Sequence, residues 1–191
     1  MRICVYGASS NDISSEFIEQ GEALGFEMAM RGIGLTFGGG ANGMMGAVAR
    51  GISQGNGHII GVAPKFFNVD GVLYEKCDEL IRPDTMRQRK QIMEDNADGF
   101  IITPGGIGTF EEFFEILTLK QLAQLNKPIV IMNTNGYYND MLSMMQTAVE
   151  KEFILESVKT LYEVKTDVND ILDYIENYNS SEIDIKQYKK V

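Results

Sequence analysis

An α/β fold, with a doubly wound parallel sheet covered by helices on both faces, is predicted by three features of this 191-residue sequence. Short apolar runs alternate with stretches of helical period along most of the chain, the pattern of a parallel sheet buried on both sides. Glycine-rich loops follow several of the apolar runs, at the strand ends where such sheets bind ligands. The length suits one domain whose core needs neither disulfides nor structural metal. We read residues 1–178 as that domain and 179–191 as a polar C-terminal tail.

The first apolar run, Ile3-Cys4-Val5-Tyr6-Gly7, is a strand over residues 3–7 that offers no signal peptide and holds Cys4 as a reduced, packed thiol. A helix at 14–31, a strand at 34–37 and a helix at 43–54 follow. His58 opens a strand at 58–63, and a short strand is expected at 79–81. Pro83 precedes a helix over 85–97 with Asp84 or Thr85 as its cap. Gly99-Phe100-Ile101-Ile102-Thr103 reads as a buried strand at 99–103. Phe110, Phe113, Phe114 and Leu117 then repeat at helical spacing and predict a helix over 109–125. A strand at 128–133, a helix at 137–151, a short edge strand near 161–164 and a helix at 168–178 complete the pattern. The polar end is expected to fray.

Composition narrows the function. A net charge of −10 argues against nucleic-acid binding. No apolar run approaches the roughly 18 residues of a membrane span, so a cytoplasmic location is expected. His58 is the only histidine, and Cys4 and Cys77 are the only cysteines. A zinc site or a Ser-His-Asp triad is hard to build from that inventory. Charge is uneven along the chain: residues 28–69 contain no Asp or Glu, hold Arg31, Arg50 and Lys65, and precede Arg82, Arg87, Arg89 and Lys90. Such local basicity points to a small anionic ligand or to solvated surface charge.

Four loops or helix starts carry candidate chemistry. Gly7-Ala8-Ser9-Ser10-Asn11 follows the first strand and Gly38-Gly39-Gly40-Ala41-Asn42-Gly43 the second. The latter spells G-x-G-x-x-G, yet the acid expected about 20 residues on for a dinucleotide ribose is missing from the acid-free window. Neither loop carries a Walker lysine. Two glycine loops without those accessories fit a mononucleotide.

At the third site, Met86, Arg89, Lys90 and Met93 share one helical stripe. Cations in a first turn oppose the helix dipole and call for an anion, a substrate phosphate or Glu112; a basic surface helix with half-buried methionines is the alternative. The fourth is Pro104-Gly105-Gly106-Ile107-Gly108-Thr109-Phe110-Glu111-Glu112. It reads as a phosphate cradle at a helix N-terminus, or as a capping box with Thr109 as N-cap and Glu112 reaching back. Glu112 and Glu115 lie opposite the phenylalanine face and are expected to point away from the core, with Glu112 in the turn facing the cradle.

These motifs resemble the "Lonely guy" family, the cytokinin riboside 5'-monophosphate phosphoribohydrolases once labelled possible lysine decarboxylases, over residues 3 to about 154. The family's P-G-G-x-G-T-x-x-E is matched by Pro104, Gly105, Gly106, Gly108, Thr109 and Glu112, its M-x-x-R-K by Met86, Arg89 and Lys90, and its glycine loop by residues 38–46. Arg87 stands where many members have histidine, and Gly7-Ala8 where many have Cys-Gly.

The resemblance implies a Rossmann-like homodimer or higher homo-oligomer that cleaves the N-glycosidic bond of a nucleoside 5'-monophosphate. AMP or an N6-modified AMP would yield free base and ribose 5-phosphate, without metal or redox cofactor. Arg89 and Glu112 would form the catalytic pair. Gly106, Gly108 and Thr109 would hold phosphate and Met86 would lie near the base. Lys90, Gly105, Gly39, Gly40, Gly43 and Ser9 complete the candidate substrate-binding set.

Glycosidic cleavage develops oxocarbenium-like charge that a carboxylate stabilises. Arg89 could hold Glu112 ionised, position the sugar or assist the leaving base. A non-catalytic nucleotide or molybdenum-cofactor carrier is the competing expectation. A lysine decarboxylase would need a Schiff-base lysine, for which Lys90 alone is thin support. Met44, Met45, Met141, Met144 and Met145 are either core filler or a dimer face.

Overall fold

The computed structural model describes residues 1–67, 71–180 and 182–189. Seven strands form one sheet in the order β4-β3-β2-β1-β5-β6-β7. They are β1 (Arg2–Tyr6), β2 (Gly34–Phe37), β3 (Ile59–Val62), β4 (Glu79–Ile81), β5 (Gly99–Ile102), β6 (Ile129–Met132) and β7 (Glu163–Lys165), and every pairing is parallel. The two edge strands are three residues long and largely exposed, which leaves little backbone free for unwanted pairing.

Alternation along the strands sorts side chains into two cores. Cys4, Tyr6, Phe100, Ile102, Ile129 and Ile131 face one side, where α3 (Met86–Asp95), α4 (Ile107–Gln121) and α5 (Asn139–Glu150) pack. Ile3, Val5, Leu35, Ile101, Val130 and Met132 face the other, covered by α1 (Ser15–Met30), α2 (Gly43–Gln54) and α6 (Val168–Glu176). Burial on both faces is why these runs are apolar throughout rather than alternating. The helices α1 and α2 approach so closely that a Cβ at Gly25 would sit 2.1 Å from the carbonyl oxygen of Val48.

Two expectations are corrected. The helix α4 starts at Ile107 with Gly106, in extended backbone, as its N-cap and no side-chain cap bond, so Thr109 lies inside the first turn and makes no capping box with Glu112. A capping box forms instead on α3, where Thr85 Oγ1 accepts from Gln88 N and Gln88 Oε1 accepts from Thr85 N. Within its described residues, the polar tail also does not simply fray; residues 181, 190 and 191 lie outside the described residues. Asp184 caps a short helix α7 (Ile185–Tyr188), which is held by Gln121 Nε2 donating to the carbonyl of Tyr188 at 2.5 Å and by Ser157 Oγ bonding the carbonyl of Gln187.

Candidate functional site

The strand order reverses between β1 and β5, so the loops leaving these two neighbours diverge and open a crevice. Ala8 N donates to the carbonyl of Pro104 at 3.0 Å and ties the two loops together at its base. The loop after β2 is docked onto them. Met45 N donates to Ala8 O, and Asn11 Oδ1 accepts from Gly43 N at 2.9 Å.

Gly43 makes that docking possible. Its φ is +59°, and a Cβ there would lie 2.5 Å from the carbonyl oxygen of Ala8. Gly43→Ala is therefore expected to cost about 2 kcal/mol or more. At Gly108 a Cβ would meet open space, and alanine there should leave the melting temperature nearly unchanged. Thermal denaturation of the two variants checks this, and equal melting temperatures would contradict the described docking.

The crevice deepens into a cavity of about 400 Å³. One wall is the start of α4, where exposed Gly106, Ile107 and Gly108 precede buried Thr109. With no side chain capping the helix, the first-turn N–H groups remain available to an anion. Glu112 lies one turn further in, on the cavity side.

Arg89, from the first turns of α3, reaches it across the crevice. Its Nη1 donates to Glu112 Oε1 at 2.9 Å, and its Nε donates to the carbonyl of Val62 at the end of β3, 3.0 Å away. Both side chains are about nine-tenths buried. Burial pushes the Glu112 carboxyl above the ordinary carboxylate range, an effect that the Arg89 charge opposes without cancelling. Space for the guanidinium comes from Gly38, where a Cβ would stand 2.0 Å from Arg89 Nη2.

Of the residues expected at the site, Ser9, Gly40, Met86, Arg89, Gly106, Gly108, Thr109 and Glu112 line this one cavity. Gly39, Gly43 and Gly105 stand behind the lining. Gly39 has φ +76°, and a Cβ on Gly105 would collide with Thr109 Oγ1 at 2.2 Å, so these glycines shape the loops. Lys90 departs from expectation. It is not part of the cavity lining: its Nζ is engaged by Glu111, which does line the cavity, and, at 2.6 Å, by Glu115.

The helix α3 thus obtains its counter-anions from α4. Glu112 faces the cradle as expected, but it is buried rather than exposed there because Arg89 of α3 reaches across to it. Among the described residues of the acid-free window the cations are paired: Arg31 with Glu27, Asp173 and Glu176, Arg50 with Glu22, and Lys65 with Asp84. Of the five methionines considered for a partner face, Met44 and Met145 are buried, Met141 is half-buried against the core, Met45 lines the cavity and Met144 is exposed.

The cavity also has an apolar wall that sequence periodicity does not mark. Phe67, Val72 and Leu73 line it with Met45 and Met86. Residues 72–74 are drawn in by pairing with the glycine loop, through Ala41 N to Val72 O, Tyr74 N to Gly39 O and an antiparallel bridge between Gly40 and Leu73. The segment is too short and irregular to carry a period.

A family profile described as "Possible lysine decarboxylase" matches residues 45–175. A cytokinin riboside 5'-monophosphate phosphoribohydrolase from Arabidopsis thaliana is 36% identical over 178 residues, 93% of this chain and 83% of its own. A second from the same plant is 36% identical over 177 residues, covering 93% and 82%. Among solved structures, the Moco carrier protein from Chlamydomonas reinhardtii superposes with a TM-score of 0.68 at 22% identity, over 92% of this chain and 94% of that one. At that identity the likeness is one of fold.

Proposed function

The chain belongs to the family described as "Possible lysine decarboxylase", and from that membership and the cavity's geometry we propose that it is a phosphoribohydrolase. It hydrolyses the N-glycosidic bond of a nucleoside 5'-monophosphate, AMP or an N6-modified AMP such as a cytokinin riboside 5'-monophosphate, to free base and ribose 5-phosphate. The observation that carries this reading is the buried Arg89–Glu112 pair, set one turn behind an uncapped helix N-terminus in the same cavity. The names borne by relatives at 36% identity support the substrate class.

In this assignment the 5'-phosphate sits on the first-turn N–H groups of α4 and beside Thr109. The sugar then lies over Glu112, and the base reaches the wall of Met86, Phe67 and Leu73. As the C1'–N bond lengthens, positive charge grows on the sugar and the Glu112 carboxylate stabilises it. Water adds its hydroxyl to C1' and its proton goes to the departing nitrogen. Arg89 keeps Glu112 ionised and aimed. Phosphate anchoring holds the reacting carbon in place, so binding energy far from the bond contributes to the rate.

A decarboxylase would need a lysine for a Schiff base in the cavity. Among the described residues none lines it, and Lys90 is committed to two glutamates. We extend the proposal to a cytoplasmic homodimer or higher homo-oligomer acting without metal.

Incubation of the purified protein with AMP is expected to release adenine and ribose 5-phosphate in equal amounts, read by chromatography. Tight binding of several monophosphates with no product would favour a carrier instead.

A further inference from the structure

We propose that Tyr137 is a positioning residue of the anion cradle: its hydroxyl holds the Gly105–Gly106 peptide in the orientation that presents the Gly106 N–H to the cavity. The inference rests on the cavity's assignment as a phosphate site. Tyr137 Oη donates to the carbonyl oxygen of Gly105 at 2.7 Å. In a planar trans peptide the carbonyl of one residue and the N–H of the next point in opposite directions. Binding the carbonyl from behind therefore turns the following N–H forward, toward the cavity that Gly106 lines.

The tether has something to restrain. Both residues flanking this peptide are glycines, so rotation of the peptide plane meets less steric resistance than anywhere else in the loop. A Cβ at Gly106 would meet nothing within 4 Å, so packing leaves the plane open on that side, whereas Gly105 lies close against Thr109. The peptide before it is already fixed, because Ala8 N donates to Pro104 O. That leaves the 105–106 peptide as the free joint between a clamped strand end and a helix start. Turned over, it would aim a carbonyl oxygen at the bound anion.

Tyr137 is built to hold that position. It follows a 3₁₀ turn at Thr134–Gly136, in which Asn135 and Gly136 take left-handed φ values of 52° and 72°. Asn135 Nδ2 donates to Glu16 Oε2 at 2.7 Å, anchoring the turn to α1. Phe17 meets the Tyr137 ring edge-on with centroids 6.0 Å apart, and the Tyr138 ring stands perpendicular to it at 4.9 Å. Tyr138 in turn sends its hydroxyl to the carbonyl of Thr103 at 2.7 Å. Two adjacent tyrosines thus grip carbonyls on either side of Pro104. Tyr137 is absent from the cavity lining, so it acts through the loop.

Tyr137→Phe keeps the ring contacts and removes only the tether. Ribose 5-phosphate binding measured by calorimetry is expected to weaken about tenfold, the scale of one hydrogen bond to an anion, with the melting temperature lowered by no more than the few degrees that one lost hydrogen bond costs. Turnover should separate in the same way: KM for AMP rises about tenfold while kcat/KM for unphosphorylated adenosine stays constant. A merely structural tyrosine would lower both substrates' kcat/KM alike. Equal affinity of wild type and variant for ribose 5-phosphate would overturn the proposal, as would failure of the wild type to bind it. A wild type that binds ribose 5-phosphate but releases no adenine would refute the phosphoribohydrolase assignment and leave the role of Tyr137 to be read from affinity alone.

Discussion

Glu112→Gln is expected to reduce adenine release from AMP by roughly 10³-fold, the scale on which loss of one preorganised charge-stabilising group registers, while the protein remains folded. The amide oxygen can still accept from Arg89 Nη1, which is 2.9 Å from the present carboxylate oxygen. Removing the charge relieves a burial cost that already lifts the Glu112 carboxyl above its ordinary range despite the adjacent guanidinium. Against that, the Arg89 guanidinium is left buried without its counter-charge, so a stability loss of up to about 3 kcal/mol, short of unfolding the protein, is the expected extent.

The same burial sets a pH signature. The ionised carboxylate is the active form, so activity is present above its folded-state pKa and lost as pH falls through it. With that pKa raised, the acid limb of kcat/KM lies at higher pH than an ordinary carboxylate would give. In the glutamine variant the residual activity should lack this limb. Unchanged turnover in the variant would remove Glu112 from the mechanism.

Arg89→Met should be as damaging by a different route. The guanidinium is the opposing charge nearest Glu112 and also bonds the carbonyl of Val62. Without it the carboxylate is buried and unpaired, so its pKa rises further and the acid limb moves toward neutral pH. Turnover at neutral pH is expected to fall by about two orders of magnitude or more, and stability by about 3 kcal/mol, the usual cost of breaking a buried pair from one side. Because the two residues act as a unit, the double variant Arg89→Met, Glu112→Gln should be little slower than the worse single variant. Kinetics across pH for the three variants test this. Multiplicative losses would mean that Arg89 works independently of Glu112.

Much of this arrangement is legible in the sequence because it depends on local rules. Apolar runs buried on both faces mark the parallel strands, and the glycines mark where backbone approaches backbone or ligand. The M-x-x-R-K and P-G-G-x-G-T-x-x-E spacings bring Met86, Arg89 and Glu112 to one cavity. What escaped is tertiary. Thr109 and Glu112 satisfy the letters of a capping box, but Gly106 in extended backbone starts α4 two residues earlier than expected. Helical periodicity places Glu112 on a polar face and has no means of knowing that α3 covers it. Lys90 is expected with the substrate-binding set, but which carboxylates engage it is decided by the packing of Glu111 and Glu115 beside it. The wall of Phe67, Val72 and Leu73 rests on backbone pairing between a short irregular segment and the glycine loop, and the tail is held by side chains on α4 and on the 3₁₀ segment at Glu156–Leu161.

The most direct measurement is a crystal structure of the Glu112→Gln variant with AMP bound. The phosphate is expected on the N–H groups at the start of α4, with the residue 112 side chain against the ribose and within hydrogen-bond reach of it. A nucleotide bound with its ribose turned away from residue 112, or with its phosphate outside the Gly106–Thr109 turn, would contradict the account.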